Sequence, residues 1–521
     1  MTFQATAWRR FNRHRLDLEV SHTMASFVVD VASDVGYSNI LLGIVVSLLL
    51  MLIMRKRTGS KRLNLPPGPI NIPWPLNYLT GLVRLFKNPL EIIRELHNQY
   101  GDIVYICDGD YRYAFLASYE LVKDLLIKRA DVTSGREELW ELKAVAKCKG
   151  GIIFSSGQEW VDHRRLGLAS IRNFGKGKKS LQHCIDVEAR ILVDAIAESI
   201  GIPFNPEVVL SKAVSNIICS ITFGHRFEYS DPKFTEMTHR IKSYASQDPG
   251  ILTNLPAFFM NKRRRNLLEV KKFLVEEIQE HEKNFDPNDI RDAIDRYLLE
   301  VQRAQKSGEK TEFGMEKAWT LIFDLFLGGT ETSSASLLWA FVFLVGNPEI
   351  QEKVCSEIDD VVGHSRTPEY EDRTSMPYTE ATIMEALRFR PIAPSGVPHR
   401  CTADMEVRGY VIPKDTNIGA NILYIHNDPK LWGDPEVFRP ERFLSEDGKE
   451  IVKPEAYFPF GVGRRVCIGE QLSKMEIFLF LTNILQRFKV SFPPGAVPDY
   501  SIGHRFTTLA PKPYEIIFEE R

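Results

Sequence analysis

Helices interleaved with short strands, behind one uncharged N-terminal segment, make up the fold class that the sequence predicts. Three observations predict it. Apolar runs of helical length occur at Leu321–Val345 and Glu470–Arg487. Strand-like runs, by contrast, are short: Ile103–Cys107, Tyr111–Ala117, Val407–Ile412 and Asn417–Ile422. Residues 35–54 carry no charge over a length that spans a bilayer. The 521 residues leave room for several domains, although large single enzymes occur. Hydrophobic content of 44% and charge of 26% are ordinary for a globular protein. A net charge of −2 gives no electrostatic footprint for a nucleic-acid partner. The seven cysteines are odd in number and scattered without paired spacing, which fits a reducing compartment and no disulfide framework.

Residues 1–34 form a polar extension. Its cluster Arg9, Arg10, Arg13 and Arg15 would suit a mitochondrial transit peptide, but Asp17, Glu19, Asp30 and Asp34 dilute that signal, and a disordered tail is the plainer reading. Residues 35–54 come next. No small-residue cleavage site follows them; Arg55, Lys56, Arg57, Lys61 and Arg62 do. Basic residues on this side and acids on the other predict an uncleaved single-span anchor whose C-terminal side is cytoplasmic. Residues 55–69 are a basic linker ending in Pro66-Pro67-Gly68-Pro69, which stiffens the chain into an extended arm. Residues 70–521 are left as one domain.

Within that domain, Asp108-Gly109-Asp110 turns between the first two strands, and a helix is predicted over Tyr119–Lys128. Trp160 to Arg165 opens a helical pattern in which Trp160 and Arg164 share a face. An indole N–H beside a guanidinium suits a carboxylate, although an exposed Arg packed over an aromatic gives the same spacing. Six basic residues without an acid (Arg164, Arg165, Arg172, Lys176, Lys178 and Lys179) read either as a solvated face or as a dock for an acidic partner. Pro256–Met260, leading into Lys262–Arg265, sets apolar residues beside basic ones, as at an anionic lipid surface. The helix over Leu321–Val345 is expected to be broken at Gly328-Gly329-Thr330-Glu331-Thr332-Ser333. Asp324 and Glu331 make it costly inside a membrane, so a buried core helix is expected. Its glycines leave room for a ligand, and its hydroxyls with Glu331 place proton carriers at that point. Glu385 and Arg388 stand three apart on a helix that should stop before Pro391.

The chemistry concentrates at Phe460-Gly461-Val462-Gly463-Arg464-Arg465-Val466-Cys467-Ile468-Gly469. The glycines permit a tight turn, and Cys467 lies where the Glu470–Arg487 helix begins, so N–H groups and the helix dipole favour a thiolate there. A buried structural cysteine is the plain alternative, against which Arg464 and Arg465 argue. A nucleophile would need a base, and no His lies in the stretch. Zinc would need further ligands at close spacing. What remains is a large cofactor that takes one protein sulfur, haem with an axial thiolate.

This stretch resembles the haem-binding loop of the cytochrome P450 superfamily, Phe-x-x-Gly-x-Arg-x-Cys-x-Gly, at Phe460, Gly463, Arg465, Cys467 and Gly469. The resemblance covers roughly Pro66 to the end, and it is closest to the microsomal drug- and steroid-hydroxylating animal branch. It implies a mainly α domain with a smaller β-rich lobe, holding haem b behind the N-terminal transmembrane helix. By that resemblance Cys467 is the axial ligand, and Trp160, Arg164, His399 and Arg465 serve the haem propionates or the loop that holds it. Glu331 and Thr332 are the acid and alcohol of the oxygen-activation motif. Glu385 and Arg388 are the Glu-x-x-Arg pair, joined by Arg442 from Pro440-Glu441-Arg442-Phe443, with a structural role. Asp324, Phe326, Ile392, Val397 and Phe506 line the substrate pocket. The implied activity inserts one atom of dioxygen into an apolar small molecule (a steroid, fatty acid or xenobiotic). Electrons come from NADPH through a cytochrome reductase at the endoplasmic reticulum membrane, with cytochrome b5 and membrane lipid as further partners. Three alternatives stay open: a reductase-independent haem-thiolate isomerase, a non-catalytic haem sensor, and a mitochondrial monooxygenase fed by ferredoxin.

Overall fold

A computed structural model describes residues 63–69, 89–108, 111–137, 150–172, 181–245, 257–308, 311–504 and 508–521, with isolated positions at 47 and 145. The expected 35–54 anchor, Lys176, Lys178, Lys179 and Phe506 lie outside the described residues. So do Pro256 and the side chains of 257–262. Residues 65–521 form one compact unit, which takes in the Pro66–Pro69 arm.

The unit is built on eleven longer helices among the described residues: α1 Pro89–Tyr100, α2 Gly157–Arg172, α3 Leu181–Ala197, α4 Glu207–Phe223, α5 Pro232–Ala245, α6 Ala257–Lys283, α7 Ala293–Ser307, α8 Met315–Gly346, α9 Pro348–Val361, α10 Pro377–Phe389 and α11 Glu470–Arg487. The axis of the helical core is α8, buried nearly all round, as a helix apolar on every face must be. It packs against α4, α5, α6, α7, α10 and α11. Among the described residues no helix is long and apolar enough to cross a membrane.

The strands are short. β1 Ile103–Asp108 and β2 Tyr111–Leu116 form the predicted hairpin, and β2 runs parallel to β6 Asn417–Ala420, which pairs antiparallel with β3 His399–Arg400. Two-stranded sheets join β4 Met405–Val407 with β5 Tyr410–Ile412, β7 Phe488–Ser491 with β10 Ile517–Glu520, and β8 Ile502–His504 with β9 Ala510–Pro511. The β1–β2–β6 region has its own apolar core, separate from the helical one. A mainly α domain with a smaller β-rich part is therefore observed.

Several elements differ from expectation. The expected Val407–Ile412 strand is instead the end of β4, a turn and all of β5, within a hairpin. Arg408 (φ 48°) and Gly409 (φ 81°) are both left-handed and turn the chain in two residues. Tyr119–Lys128 begins as an α-turn and continues as a π-helix over Lys123–Lys128. The β6 segment stops at Ala420 because the Asn421 side chain accepts from Tyr424 N–H and caps a short helix, Ile422–His426. The expected break in α8 does not occur. Thr332 Oγ donates to Gly328 O (2.6 Å) and Ser336 Oγ to Thr332 O (2.9 Å), so the hydroxyls bond back along the helix instead of interrupting it.

Candidate haem site

The cysteine loop is set by two left-handed glycines, Gly461 (φ 75°) and Gly463 (φ 72°). A Cβ at Gly463 would overlap the Leu126 carbonyl oxygen, so this glycine seats the loop against the Lys123–Lys128 π-helix. Val466 N–H donates to Gly463 O and Cys467 N–H to Phe460 O, which closes the turn before α11 begins at Glu470. The sulfur is accessible on one side and walled by protein on the others. Burial pushes its thiol up; the N–H groups of Gly469 and Glu470 and the Arg164 charge pull it down without prevailing. The helix start thus acts in the expected direction, but a stable thiolate here needs a stronger partner than a helix dipole. A bound metal cation supplies one.

Beside the cysteine lies a cluster of cations. Arg164 donates to Val466 O (2.7 Å), tying α2 to the loop. Arg465 lies 3.8 Å over the Trp160 ring, with Arg464 and Arg164 at 5.6 and 6.0 Å. Four Arg465 donor bonds go to the carbonyls of Ser134, Ile152 and Ser155, so this residue chiefly fastens the surrounding segments. Sequence reasoning missed Arg136. It donates to Ile153 O (3.1 Å), Val397 O (3.0 Å) and Pro398 O (2.9 Å) in the same cluster. A single arginine in an unpatterned loop gives no periodic signal; its role arises only where the fold brings residues 136, 164 and 465 together. Burial, then the neighbouring guanidiniums, pulls Arg136 down to about 9 and Arg465 to about 8. Among the described residues no carboxylate pairs with Arg136, Arg164 or Arg465.

Buried and half-buried cations crowded without a carboxylate are costly to hold, and an anion among them would offset that cost. The Trp160 indole N–H is buried without a hydrogen-bond partner among the described residues. His399 Nδ1 meets Thr133 O at 2.9 Å, and burial, then Arg136, holds the ring neutral, down to about 3. To donate from Nε2 it must take up a second proton, which an anion neutralising Arg136 and Arg465 would allow. These groups fit the carboxylates of a haem, with Cys467 as the one sulfur beside them.

On α8, Gly328 faces open space, whereas Gly329 packs against Ile218 of α4; a Cβ there would overlap the Ile218 side chain. Only the first glycine leaves room for a ligand. Thr332 is partly exposed, one turn from Gly328. Glu331 is buried, and burial pushes its carboxyl up to about 7 against the opposing charge of Lys242 on α5.

Two expected pocket residues are placed otherwise. Phe326 is fully buried and stacks on Phe223 of α4 at 5.2 Å, a core aromatic. Asp324 turns its carboxylate onto the N–H groups of Ile152 and Ile153 (2.8 Å to the latter), anchoring that segment to α8. Burial pushes its carboxyl up to about 7. Ile392 is buried, and its carbonyl accepts from Leu509 N–H; Val397 is half-buried beside Arg136.

Glu385 and Arg388 are completely buried, with Arg388 Nε donating at 2.7 Å; Arg442 Nε joins at 3.0 Å and Arg439 N–H also at 3.0 Å. Arg388 donates further to His426 O and Pro435 O. His426 Nε2 in turn accepts from Phe458 N–H, which carries the network to the start of the cysteine loop.

On the surface, α2 and the loop enclose a cleft of about 550 Å³. Arg164, Arg165, Arg172 and Arg464 rim it, and Val161, Leu168 and Trp160 supply its apolar wall.

The comparisons with known proteins agree. The Cytochrome P450 family matches residues 66–518. Cytochrome P450 2B2 of Rattus norvegicus is 36% identical over 92% of this chain and 99% of its own length. Cytochrome P450 2J5 of Mus musculus is 37% identical over 95% and 98%. Cytochrome P450 2D15 of Canis lupus familiaris is 36% identical over 91% of this chain. The chain belongs to the cytochrome P450 family of haem-dependent monooxygenases.

Proposed function

We propose that the protein binds haem b through Cys467 and inserts one oxygen atom from dioxygen into an apolar small molecule, a steroid, fatty acid or xenobiotic. The observation that carries this reading is the set of buried and half-buried guanidiniums with no counter-ion among the described residues, gathered around the Trp160 N–H within reach of the Cys467 loop. Haem with an axial thiolate supplies oxygen activation when bound. Arg136, Arg164, Trp160 and His399 take the propionates, and Arg465 holds the segments around them. Phe460 and Gly469 bracket the cysteine. Gly328 leaves room on the opposite side. Thr332 and Glu331 govern protons there: a carboxyl near 7 both gives and takes protons at neutral pH.

Electrons arrive from an NADPH–cytochrome reductase docked on the arginine-rimmed cleft beside Trp160, where opposite charge speeds encounter. Residues 35–54 anchor the chain in the endoplasmic reticulum membrane, with residues 70–521 on the cytoplasmic side. Cytochrome b5 shares the basic face, and lipid meets the Pro256–Arg265 region.

The test has two parts. Cys467→Ala should abolish the red-shifted Soret band of the reduced carbon monoxide complex, and Cys401→Ala should leave it; the reverse would overturn the ligand. Thr332→Ala should still bind haem and consume NADPH while hydrogen peroxide accumulates at the expense of product. An unchanged ratio of product to NADPH would remove Thr332 from the mechanism, and turnover without NADPH or oxygen would favour the isomerase.

A further inference from the structure

One buried acid serves none of the roles above. Glu476 lies on α11, nine positions beyond Cys467, and is 1% exposed. It faces α8, where Ser333 stands next to Thr332. Ser333 is buried, and its hydroxyl is 3.2 Å from the Ser473 hydroxyl on α11. Oε1 of Glu476 has no hydrogen-bond partner among the described residues. Two buried polar side chains, Glu476 and Ser333, thus meet the half-buried Ser473 in the seam between the cysteine's helix and the oxygen-side helix.

The proton decides how this seam is bonded. A neutral Glu476 donates its O–H to Ser333, whose own hydroxyl then donates to Ser473. An ionised Glu476 can only accept, so Ser333 turns its single hydrogen to the carboxylate, and the Ser473 hydroxyl must then reverse and donate to Ser333 for that contact to persist. Burial favours the neutral form, and Ser333 alone opposes it, leaving the carboxyl at about 8. No charged group on the surrounding elements compensates the ion. On α3, Glu188 is engaged with Arg226 and Asp186 lies beside Arg190. On α8, Glu331 answers to Lys242. On α9, Cys355 and Asp359 face Arg521, and Lys489 of β7 bears on Cys355. On α10, Glu380 and Glu385 pair with Arg373 and Arg388. Tyr370 and Asp372, in the Tyr370–Ser375 turn, lie beside Arg373 and Arg366. Within α11, Glu470 pairs with Lys474, and Arg487 with Glu520.

We propose that Glu476, closed into the α8–α11 seam on Ser333, is a positioning residue that couples the arrival of an electron at the Cys467-held haem to the uptake of a proton. This rests on Cys467 being the haem ligand. The step operates above about pH 8, where the acid is ionised before reduction, and it is balanced: one electron comes from the donor protein and one proton from solvent, the iron goes from ferric to ferrous, and the Glu476 carboxylate becomes the acid. The charge of the buried region is then unchanged. Without the proton, the one negative charge brought by the electron would be added to a low-dielectric region that already holds the carboxylate. Six residues of helical rise separate Glu470 from Glu476, and Cys467 lies three residues before the helix, so the carboxyl is on the order of 10 Å from the sulfur. At an effective dielectric of about 20, that separation is worth about a tenfold change in the equilibrium constant of reduction.

The experiment is a redox titration of the holoenzyme across pH. The equilibrium constant for one-electron reduction should fall about tenfold more between about pH 7 and pH 9.5 in the wild type, as the ferric-state acid ionises, than in Glu476→Gln, which cannot ionise. An infrared band of a protonated carboxyl at neutral pH should disappear in the same variant. A flat wild-type titration, or the same fall in Glu476→Gln, would overturn the proposal. Should that variant fail to fold, Ser333→Ala serves: losing the hydroxyl that stabilises the carboxylate should move the transition to higher pH, and an unmoved transition would count against the coupling. Failure of the ligand assignment is distinguishable, because it would show as loss of the thiolate Soret band, whereas failure of the coupling would leave that band intact.

Discussion

Replacing Glu385 by Ala tests what holds the cysteine loop in place. The carboxylate, fully buried, accepts two bonds from Arg388 (2.7 and 2.8 Å), one from Arg442 Nε and one from Arg439 N–H. Removing it strands Arg388, with no exposure, and leaves Arg442, with 5%, only its longer contact to Asp434 (3.4 Å). Breaking a buried ion pair by deleting one partner costs about 3–5 kcal/mol, because the remaining charge stays desolvated. The carbonyls of His426, Pro435, Trp432 and Val437 still hold the arginines, which argues for the lower end. A unit of this size unfolds with an entropy near 1 kcal/mol per degree, so the midpoint should fall by about 3–5 °C. Calorimetry of the holoenzyme, with the carbon monoxide spectrum to count loaded protein, measures both. Glu385→Ala combined with Arg442→Ala should cost less than the sum of the two singles, by about 1–3 kcal/mol, since one stranded cation goes with the acid. A midpoint within a degree of wild type and full haem content, or strict additivity, would refute the reasoning.

Three further outcomes follow from the site. Gly463→Ala should abolish haem-loaded protein, since φ 72° and the Leu126 carbonyl both reject a Cβ, while Gly328→Ala should fold normally; equal yields in a reduced carbon monoxide assay would count against this. Asp324 titrates near 7 when folded and near 4 when unfolded, so the folded state holds the extra proton between those values and loses stability as pH rises through them. That loss is about 4 kcal/mol at most, and Asp324→Asn should flatten this limb of the pH–stability curve. Arg136→Leu should speed haem transfer to a scavenging globin about tenfold or more, the scale of one charge-assisted bond to a carboxylate, and should raise the His399 pKa followed by NMR; unchanged transfer would remove Arg136 from the propionate set.

Legibility in the sequence followed chemistry more closely than packing. The Cys467 loop, the Glu331–Thr332 pair and Glu385–Arg388 stood out because each joins residue types whose spacing has few other uses, and the helix Glu470–Arg487 is observed with the predicted bounds. Arg136 was illegible because its partners lie far away in sequence. Phe326 and Gly329 were misread because a glycine or an aromatic on a helix carries no mark of which neighbour it faces; α4 supplies both answers, through Phe223 and Ile218. Asp324 was read as pocket-lining because its acceptors, two backbone N–H groups, have no sequence signature. The hairpin at Arg408-Gly409 was hidden by a non-glycine residue in a left-handed conformation.

The proline arm has a bearing on solubility. β1 is the outer strand of its sheet, and its Tyr105 N–H donates to Pro67 O, while Gly68 lies so close to the Tyr105 backbone that no side chain would fit between them. An outer strand with unpaired amides is a template for another chain, and this one is closed by a segment whose prolines cannot pass the pairing on. The arm is therefore a selvedge, finishing the sheet where it would otherwise fray into its neighbours. A chain cut before Leu65 keeps that finish; one cut after Pro69 exposes β1 and should associate edge to edge at concentrations where the longer chain stays dispersed.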